Sequence, residues 1–428
     1  MNGIRNHLNA EGQVLRWPSK PTEKTAVIEY LASRFVRDKT YSELEVNHIL
    51  KAWHTFDDWA LLRRELFERG FFERQRDGSS YVRTRLGEAV VEHRLRLEHI
   101  LEAAQRIDLV FLNSPQFSPE SLSAGLGCEL VVKVETLNPI RSFKGRGADY
   151  FIQKVVAGEA IPPALRATPL NNGAPRSGGG LPALVCASAG NFGQAMAYAC
   201  RKHGLPLVVY ASVNANPLKI ERMQALGAEV RLYGEDFDAA KLEAKRFCAE
   251  TGAWMVEDGK EPLISEGTGS MAVELLQYPK PLEAVVVPLG NGAMLGGIAR
   301  WVKAQAPQVR VVAAAAKGAP AMEQSWRSRT MVENPHIHTI ADGIGVRVPI
   351  PEAVEDMYGL VDEVLLVEDA TLLECMKLAH THLGLVLEPS GAVGLAAIQE
   401  NPALFASKRV ATILCGSNLT PQQMRDWL

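Results

Sequence analysis

Seven short runs of β-branched and small apolar residues recur along the later part of this 428-residue chain, with helical patterns between them. The runs are ELVVKVE, PALVCAS, PLVVYAS, AEVRLYG, AVVVPLG, VRVVAAA and ATILCGS. Segments such as GQAMAYACRKHG and NPLKIERMQALG separate them. This alternation is typical of an α/β fold whose parallel strands are buried on both faces. Because such sheets bind ligands beyond the carboxyl ends of their strands, the turns after these runs are the first candidates for a functional site.

The first hundred residues differ, being rich in Arg, Glu and His. TEKTAVIEYLASRF, YSELEVNHILKAW and DDWALLRRELFERG have helical spacing; Ser42 and Glu45 form a capping-box pair, and Gly70 is placed to end the third helix. An Asp-Gly turn signal at 77–78 predicts a hairpin, which completes a winged-helix-like outline. We predict a small, mainly helical domain over residues 1–104, in which LGEAVVEHRLRLEHILEAAQR is a connecting helix.

Composition excludes several classes of protein. The net charge is −3 and the pI about 6.4, so no broad positive field favours nucleic acid or anionic membrane. No stretch approaches the ~20 apolar residues of a membrane span, and the first twenty residues lack an apolar signal core. The six cysteines have no C-x-x-C spacing, which favours reduced thiols. We predict a cytoplasmic protein without a membrane partner.

Two turns after predicted strands are candidate anion sites. Residues 188–191, Ser-Ala-Gly-Asn, open a helix whose amides could bind a carboxylate or phosphate, although an ordinary helix cap explains them equally well. Residues 290–294, Gly-Asn-Gly-Ala-Met, are small enough for their amides to approach an anion. The second turn matches neither the dinucleotide fingerprint nor the Walker pattern, so it favours a monophosphate over a dinucleotide. A tight packing turn between strand and helix is the weaker alternative, because packing rarely needs so many small residues.

Other segments are less specific by themselves. Cys415 is followed by Gly-Ser-Asn, for which a buried cysteine before a turn is the simpler interpretation. Glu388 and Ser390 stand at a Gly-rich helix start, Asp342 precedes a glycine in a loop, and the NNGAPRSGGG stretch at 171–180 predicts a surface insertion. The histidine pairs 336/338 and 380/382 lack the spacing of metal ligands, and G-x-S-x-G is absent, so we predict neither a metal site nor a serine hydrolase.

Five motifs follow one another along the chain: a lysine in SFKGRGA, the Ser-Ala-Gly-Asn turn, the glycine-rich turn, EPSGA and Cys-Gly-Ser-Asn. In that order they resemble the pyridoxal-phosphate (PLP) enzymes of the tryptophan-synthase-β fold group, and in particular its serine/threonine dehydratase branch. The resemblance covers residues 105–428. It implies two α/β subdomains, the smaller over about 183–258, with the cofactor in the cleft between them.

The same resemblance implies a role for each matched position. Lys144 would hold PLP as a Schiff base and then remove the substrate Cα proton, while Phe143 lies against the pyridine ring. Asn191 would bind the ring hydroxyl, and Cys415 would face the ring nitrogen. The cofactor phosphate would be bound by the amides of Gly290, Asn291, Gly292, Ala293 and Met294. The substrate carboxylate would be bound by the turn of Ser188, Ala189, Gly190 and Asn191.

We therefore predict a PLP-dependent β-elimination that converts threonine or serine to a 2-oxo acid and ammonia, by a homodimer. One alternative is β- or γ-replacement, as in threonine synthases or sulfhydrylases. The other is an amino-acid-sensing regulator, since the first hundred residues resemble a small uncharacterised winged-helix-like family that also occurs fused to regulators. A DNA contact would use Arg63, Arg64, Arg69, Arg74 and Arg76. These are balanced by Glu43, Glu45, Glu65, Glu68 and Glu73, which favours an oligomerisation or lid module and no nucleic-acid partner.

Departures from the resemblance refine these expectations. Racemases of the branch have a serine where this chain has Ala189, which argues against efficient racemisation. Their metal-binding glutamate corresponds to Ala315, with Lys317 nearby, so no divalent metal is expected there. Threonine synthases usually carry an acid where this chain has Gly145. Arg141 replaces a small residue, which leaves the shape of the substrate pocket open.

Overall fold

The computed structural model describes residues 7–9, 12–35, 39–75, 80–83, 93–160 and 182–428. The chain divides into two compact units, Met1–His93 and Arg94–Leu428. Arg76, the predicted turn at 77–78, the first part of the predicted connecting helix and the 171–180 stretch lie outside the described residues. Within the described ranges, every helix is too short or too polar to span a bilayer.

In its described residues, the first unit has three helices and a small antiparallel sheet. The helices are α1 (Pro21–Ala32), α2 (Glu43–Ala52) and α3 (Trp59–Glu68), and the strands are β1 (Thr40–Tyr41), β2 (Phe72–Arg74) and β3 (Tyr81–Arg83), in the order β1-β3-β2. The predicted capping box is present: the Ser42 hydroxyl accepts from the Glu45 amide at 3.3 Å, and the Glu45 carboxylate accepts from the Ser42 amide at 2.8 Å. Gly70, at φ 75°, follows α3 as predicted. The likeness to a winged helix stays a prediction.

The second unit is the predicted α/β fold. Its first helices are α4 (Leu97–Arg106), α5 (Glu120–Leu126), α6 (Lys144–Val156), α7 (Asn191–Lys202), α8 (Pro217–Ala225), α9 (Phe237–Thr251) and α10 (Pro262–Leu275). Then follow α11 (Ala293–Gln305), α12 (Ala321–Ser328), α13 (Pro351–Met357), α14 (Asp369–Leu383), α15 (Pro389–Glu400), α16 (Pro402–Phe405) and α17 (Pro421–Trp427).

Two sheets organise this unit. The larger has the order β12-β11-β10-β13-β5-β4 and is parallel except for its edge strand β4. Its strands are β4 (Gln116–Phe117), β5 (Glu129–Val134), β10 (Ala284–Pro288), β11 (Arg310–Ala316), β12 (Glu363–Val367) and β13 (Arg409–Leu414). The smaller sheet is fully parallel, in the order β8-β7-β6-β9. Its strands are β6 (Leu184–Ala187), β7 (Leu207–Ala211), β8 (Glu229–Leu232) and β9 (Trp254–Met255), all within the predicted smaller subdomain.

Each of the seven predicted runs contains a strand. The prediction missed β12, whose pattern of buried and half-buried residues is weaker, and the two-residue strands β4 and β9. The helix α4 also lies in the second unit, whereas the sequence-based boundary at 104 assigned it to the first. The reason is its packing: Ile100 and Ala103 are fully buried, and Ile100 lies against Gly269 of α10.

Candidate active site

A cavity of about 540 Å³ lies in the second unit at the carboxyl ends of strands from both sheets. The structure brings every predicted site residue to this one cavity: Phe143, Lys144, Ser188, Ala189, Gly190, Asn191, Gly290, Asn291, Gly292, Ala293, Met294 and Cys415. Residues Glu388, Ser390 and Asp342, which the sequence did not assign to a role, line it too. Segments far apart in sequence thus form one site because parallel strands present their carboxyl ends on the same edge.

Lys144 is the first residue of α6 and points its amine into the cavity. Its Nζ lies 4.7 Å from the centre of the Phe143 ring and forms an ion pair with Asp258. The Phe143 amide donates to the Cys415 carbonyl at 3.1 Å, so the lysine turn is joined to the end of β13. The backbone next to Lys144 is therefore held by β13, and its side chain is held by Asp258.

A buried charge cluster anchors α6 beneath the lysine. The fully buried Arg146 guanidinium donates to Glu135 at 2.8 and 2.8 Å and to Glu274 at 2.6 and 2.9 Å. Lys133 contacts Glu274 at 2.6 Å. Forked, charge-assisted bonds of this kind hold a planar guanidinium in one orientation, which in turn restricts the register of α6.

Asp258 is a functional candidate that the sequence analysis missed. Its carboxylate is buried, one oxygen meets Lys144, and the other has no hydrogen-bond partner among the described residues. A buried carboxylate with an unsatisfied oxygen is costly unless a ligand or a functional partner satisfies it. The only sequence signal was an Asp-Gly pair after the short run around Trp254, a common turn pattern.

The Ser188–Asn191 turn is stabilised by hydrogen bonds to its own first side chain. The Ser188 hydroxyl accepts from the amides of Gly190 at 3.2 Å and Gly193 at 3.0 Å, and α7 begins at Asn191. A side-chain carbon on Gly190 would lie 3.9 Å from the amine of Lys219. The turn therefore offers helix N-terminal amides and a nearby buried ammonium, both of which attract a carboxylate.

Lys219 was also missed by the sequence analysis. It is buried, and its amine contacts the Asp342 carboxylate at 2.6 Å. Burial lowers the pKa of Lys219, but the negative charges of Asp342 and Glu388 outweigh burial and raise this pKa overall. A permanently charged ammonium is thus held beside the turn.

Asn191 is oriented by partners on two other segments. Its Nδ2 donates to Glu388 Oε1 at 2.5 Å, and its Oδ1 accepts from Asn418 Nδ2 at 2.7 Å. The backbone amide of Asn418 in turn donates to Glu388 Oε2 at 3.0 Å. Burial raises the pKa of Glu388, an effect that the charge of Lys219 reduces. These bonds assign one orientation to the Asn191 amide.

The glycine-rich turn is built for close approach. Gly292 has φ 88°, and a side-chain carbon there would lie 2.9 Å from Ala353. A carbon on Gly290 would lie 3.2 Å from the Gly343 carbonyl. The helix α11 begins immediately afterwards at Ala293. Small residues and a helix N-terminus form a cradle that suits a phosphate group.

Cys415 follows β13 and lines the wall of the cavity at the end of this strand. Its buried thiol donates to the Ser390 carbonyl at 3.3 Å, and burial raises the pKa of the thiol well above its usual value, so the group is neutral. The neighbouring Ser390 hydroxyl is buried and has no hydrogen-bond partner within the described residues. A neutral thiol and an unsatisfied hydroxyl suit a polar but uncharged ring atom.

No group of three or more metal-ligating side chains occurs in the part of the chain that the structure describes. Ala315 is buried in β11 and offers no ligand atom, and Lys317 pairs with Glu368. The absence of a metal stays a prediction.

In the first unit, the described arginines of the candidate DNA contact all have partners. Arg63 contacts Glu43 at 2.7 Å and Arg69 contacts Glu65 at 2.6 Å. Arg64 lies 3.9 Å from Glu68, and Arg74 lies over the Phe67 ring. These contacts agree with a charge-balanced surface.

Fold and site together define an α/β enzyme in which a lysine and a glycine-rich anion cradle face one cleft. Residues 107–416 match the family described as pyridoxal-phosphate dependent enzyme, and the chain belongs to this family. Its cofactor is pyridoxal 5′-phosphate. Residues 13–83 match a second family, described as an uncharacterized protein conserved in bacteria.

Serine racemases and threonine ammonia-lyases are among the proteins that this chain is similar to. The chain is 29% identical to a serine racemase of Oryza sativa over 76% of its length and 91% of that protein. It is also 29% identical to an L-threonine ammonia-lyase of Geobacter sulfurreducens over 75% of each chain. The structure of maize serine racemase superposes with a TM-score of 0.67 at 27% identity, covering 78% of this chain and 96% of that one.

The residues present fit this cofactor. The cradle at 290–294 suits its phosphate, the Lys144 amine suits its aldehyde carbon, and the Cys415–Ser390 corner suits its ring nitrogen. The unsatisfied Ser390 hydroxyl in particular is explained by a polar group that occupies the cavity.

Proposed function

We propose that the protein is an ammonia-lyase that eliminates the β-hydroxyl of L-threonine or L-serine and releases a 2-oxo acid and ammonia. One observation carries the proposal: Lys144, Asn191 and the glycine cradle face one cavity together with Ala189, which has no acid–base group. The named relatives act as racemases or lyases, and only racemisation needs a second proton-transfer group on the opposite side of the substrate.

Each residue then has a physical task. PLP, when bound, withdraws electrons from the substrate Cα and so makes its proton removable. The Lys144 amine takes that proton, and the Phe143 ring, whose centre is 4.7 Å from this amine, would lie against the pyridine ring. The amides after Ser188 and the Lys219 ammonium hold the substrate carboxylate, so that the Cα proton is directed at Lys144.

The cleft also controls charge and water. Cys415 places a neutral thiol, and not a carboxylate, at the ring-nitrogen corner, which favours prompt loss of the β-substituent over a long-lived carbanion. Two ion pairs, Lys219–Asp342 and Arg347–Asp238, each 2.6 Å long, join the loop 336–347 to the smaller subdomain across the cavity. By joining the two sides of the cavity, these ion pairs would favour a closed cleft, and closure would exclude water from the reacting carbon.

Racemisation, replacement by a second nucleophile and ligand sensing without catalysis are the alternatives. Racemisation is disfavoured by Ala189, and a sensor has no need of the complete cavity. A homodimeric, cytoplasmic enzyme stays a prediction alongside the proposed reaction.

The first experiment is an absorbance spectrum of the purified protein with PLP, before and after addition of L-threonine, L-serine and their D-isomers. We expect a visible band that Lys144→Ala abolishes, and release of 2-oxo acid and ammonia in equal amounts from one L-amino acid. Lys241→Ala is the matched control, because Lys241 lines the same cavity but pairs with Glu257 at 2.7 Å. Its band should remain.

Other outcomes identify the alternatives. Conversion of L-serine to D-serine without 2-oxo acid supports a racemase. Turnover only when a thiol or phosphate ester is added supports replacement. A folded protein whose band survives in Lys144→Ala contradicts the assignment of the lysine.

A further inference from the structure

Arg94, the first residue of the second unit, makes four hydrogen bonds with its guanidinium. Two go to the buried Asp356 carboxylate, at 3.0 Å and 2.6 Å. The other two go to the backbone carbonyls of Gly259 at 2.7 Å and Lys260 at 2.7 Å. A single side chain therefore joins α13 to the turn at residues 258–260.

This turn is part of the active site. Asp258 contacts Lys144 and lines the cavity. Gly259 has φ 89°, and a side-chain carbon on it would lie 2.3 Å from the carbonyl oxygen of Asn291. The turn thus touches the lysine on one side and supports the glycine cradle on the other.

The segment that carries Arg94 is itself firmly held. The Leu95 carbonyl accepts from Arg300 Nε of α11 at 3.0 Å, and Leu95 is fully buried. The Arg96 amide donates to Glu266 Oε1 of α10 at 2.7 Å, and His99 meets the other oxygen of Glu266 at 2.9 Å. Arg94 therefore reaches the turn from an anchored backbone and not from a loose loop.

We propose that Arg94 is a positioning residue of the active site, which holds the 258–260 turn so that Asp258 faces Lys144 and Gly259 supports Asn291. The inference deepens the proposed function and rests on it for the reaction step, but its effect on cofactor binding needs only the cofactor. Bidentate bonds from a planar guanidinium fix direction as well as distance, which a lysine at this position cannot do.

The competing explanation is that Arg94 only stabilises the fold, as a half-buried ion pair with Asp356. Loss of that pair lowers stability but leaves a folded molecule with an unchanged site. A positioning role instead predicts a defect in molecules that remain folded. A displacement of about 1 Å can lower a rate by about a hundredfold, so even partial release of the turn is measurable.

The experiment compares Arg94→Ala and Arg94→Lys with Arg96→Ala in the full chain. Arg96 is the control, since its side chain is 62% exposed. PLP affinity is measured by equilibrium titration of absorbance below the melting temperature of each variant, and kcat and KM are measured at saturating PLP. We expect Arg94→Ala to weaken PLP binding and to lower kcat by about tenfold each, with KM nearly unchanged. The stability of Arg94→Lys should lie between that of the parent and that of Arg94→Ala, but its kcat should be close to that of Arg94→Ala.

A double-mutant cycle with Asp258→Asn completes the test. If Arg94 acts through the turn, the loss of kcat in the double variant is smaller than the product of the two single losses. Unchanged PLP affinity and kcat in folded Arg94→Ala, or full additivity with Asp258→Asn, overturns the proposal. If no amino acid is turned over at all, the proposed reaction fails, while the PLP titration still decides the role of Arg94.

Discussion

Position 416 shows how little space a single residue has at this site. A side-chain carbon on Gly416 would lie 2.2 Å from Glu388 Oε1 and 3.2 Å from Asn191 Nδ2. Glu388 cannot retreat easily, because it is buried and accepts from the Asn418 amide. The glycine is therefore a condition for the hydrogen bond that orients Asn191.

We predict that Gly416→Ala weakens PLP binding by about tenfold and lowers the free energy of unfolding by about 1–3 kcal/mol, because of overpacking next to a buried carboxyl group. Cofactor titration and urea denaturation measure the two effects. Gly125→Ala in α5 is the control: it has nothing within 4 Å and should leave PLP affinity unchanged. Normal PLP affinity in Gly416→Ala would show that Asn191 is oriented by other means.

Glu261 provides a test of pH dependence at the residue scale. Burial raises the pKa of Glu261 to about 7, against the weaker opposing charges of Lys260 and Arg94. The folded state thus binds this proton more tightly than the unfolded state. Binding of this proton by Glu261 therefore stabilises the folded state. Its contribution to the free energy of unfolding is complete below the ordinary carboxyl pKa and is lost as the pH rises through about 7.

Replacement by the neutral Glu261→Gln should remove this pH dependence. Above pH 7 we expect the variant to be more stable than the parent by on the order of 1–3 kcal/mol, with the advantage disappearing towards pH 4.5. Thermal unfolding at several pH values measures it. Glu98→Gln, at a side chain that is 76% exposed, should follow the parent curve. A constant difference across the pH range would mean that Glu261 does not titrate as described.

At the scale of elements, the contact between α10 and α11 sets the position of the glycine cradle, because α11 begins inside it. The two helices approach closely at Gly297, where an added carbon would lie 2.0 Å from the Ser265 carbonyl and 2.7 Å from the Gly269 amide. Both neighbours are backbone atoms, which cannot rotate away. Small residues therefore allow the helix spacing that the site requires.

Gly297→Ala should lower the free energy of unfolding by about 1–3 kcal/mol or more and should also weaken PLP binding, because α11 is pushed outward. The adjacent Gly296→Ala is a matched control in the same helix. Its added carbon would lie 3.3 Å from the end of the buried Leu95 side chain and 3.6 Å from Asp356 Oδ2, so a shift of a few tenths of an ångström accommodates it. Equal effects of the two substitutions, measured by denaturation and cofactor titration, would contradict the close-approach explanation.

At the scale of the whole molecule, the chain combines two matched regions. Residues 13–83 match a family of uncharacterised bacterial proteins, and residues 107–416 match the PLP-dependent enzymes. The net charge of −3 and the paired arginines Arg63 and Arg69 in the first unit argue against a specific DNA contact. An oligomerisation or lid module is the interpretation that this balance favours.

We predict that the full chain binds duplex DNA only non-specifically, with a Kd on the order of 10⁻⁴–10⁻⁶ M at physiological salt. Selection from a random-sequence pool, followed by gel shifts at several salt concentrations, tests this. Recovery of one sequence bound in the nanomolar range, with loss of binding on charge reversal at Arg64 and Arg74, would favour the regulator hypothesis.

The sequence by itself determined the fold class, seven strands of the two sheets in the second unit, the family and twelve of the residues that line the cavity, but not Asp258 or Lys219. The strands and the anion-binding turns could be predicted because they depend on local patterns: short runs of apolar, β-branched residues specify buried strands, and runs of small residues specify turns that approach an anion. The family and the cleft residues were implied by the resemblance of five ordered motifs to known enzymes. The capping box at Ser42 and the helix end at Gly70 are local in the same sense and were predicted correctly.

Only the tertiary structure decided which groups stand opposite one another. Asp258 and Lys144 are distant in sequence, as are Arg94 and Asp356, and Asn191 and Glu388. The assignment of α4 to the second unit has the same cause, since a helix pattern shows that a face is apolar but not which surface covers it. Long-range ion pairs and buried hydrogen bonds depend on where strands and helices pack, and a residue pattern along one segment carries no information about the partner across the cleft.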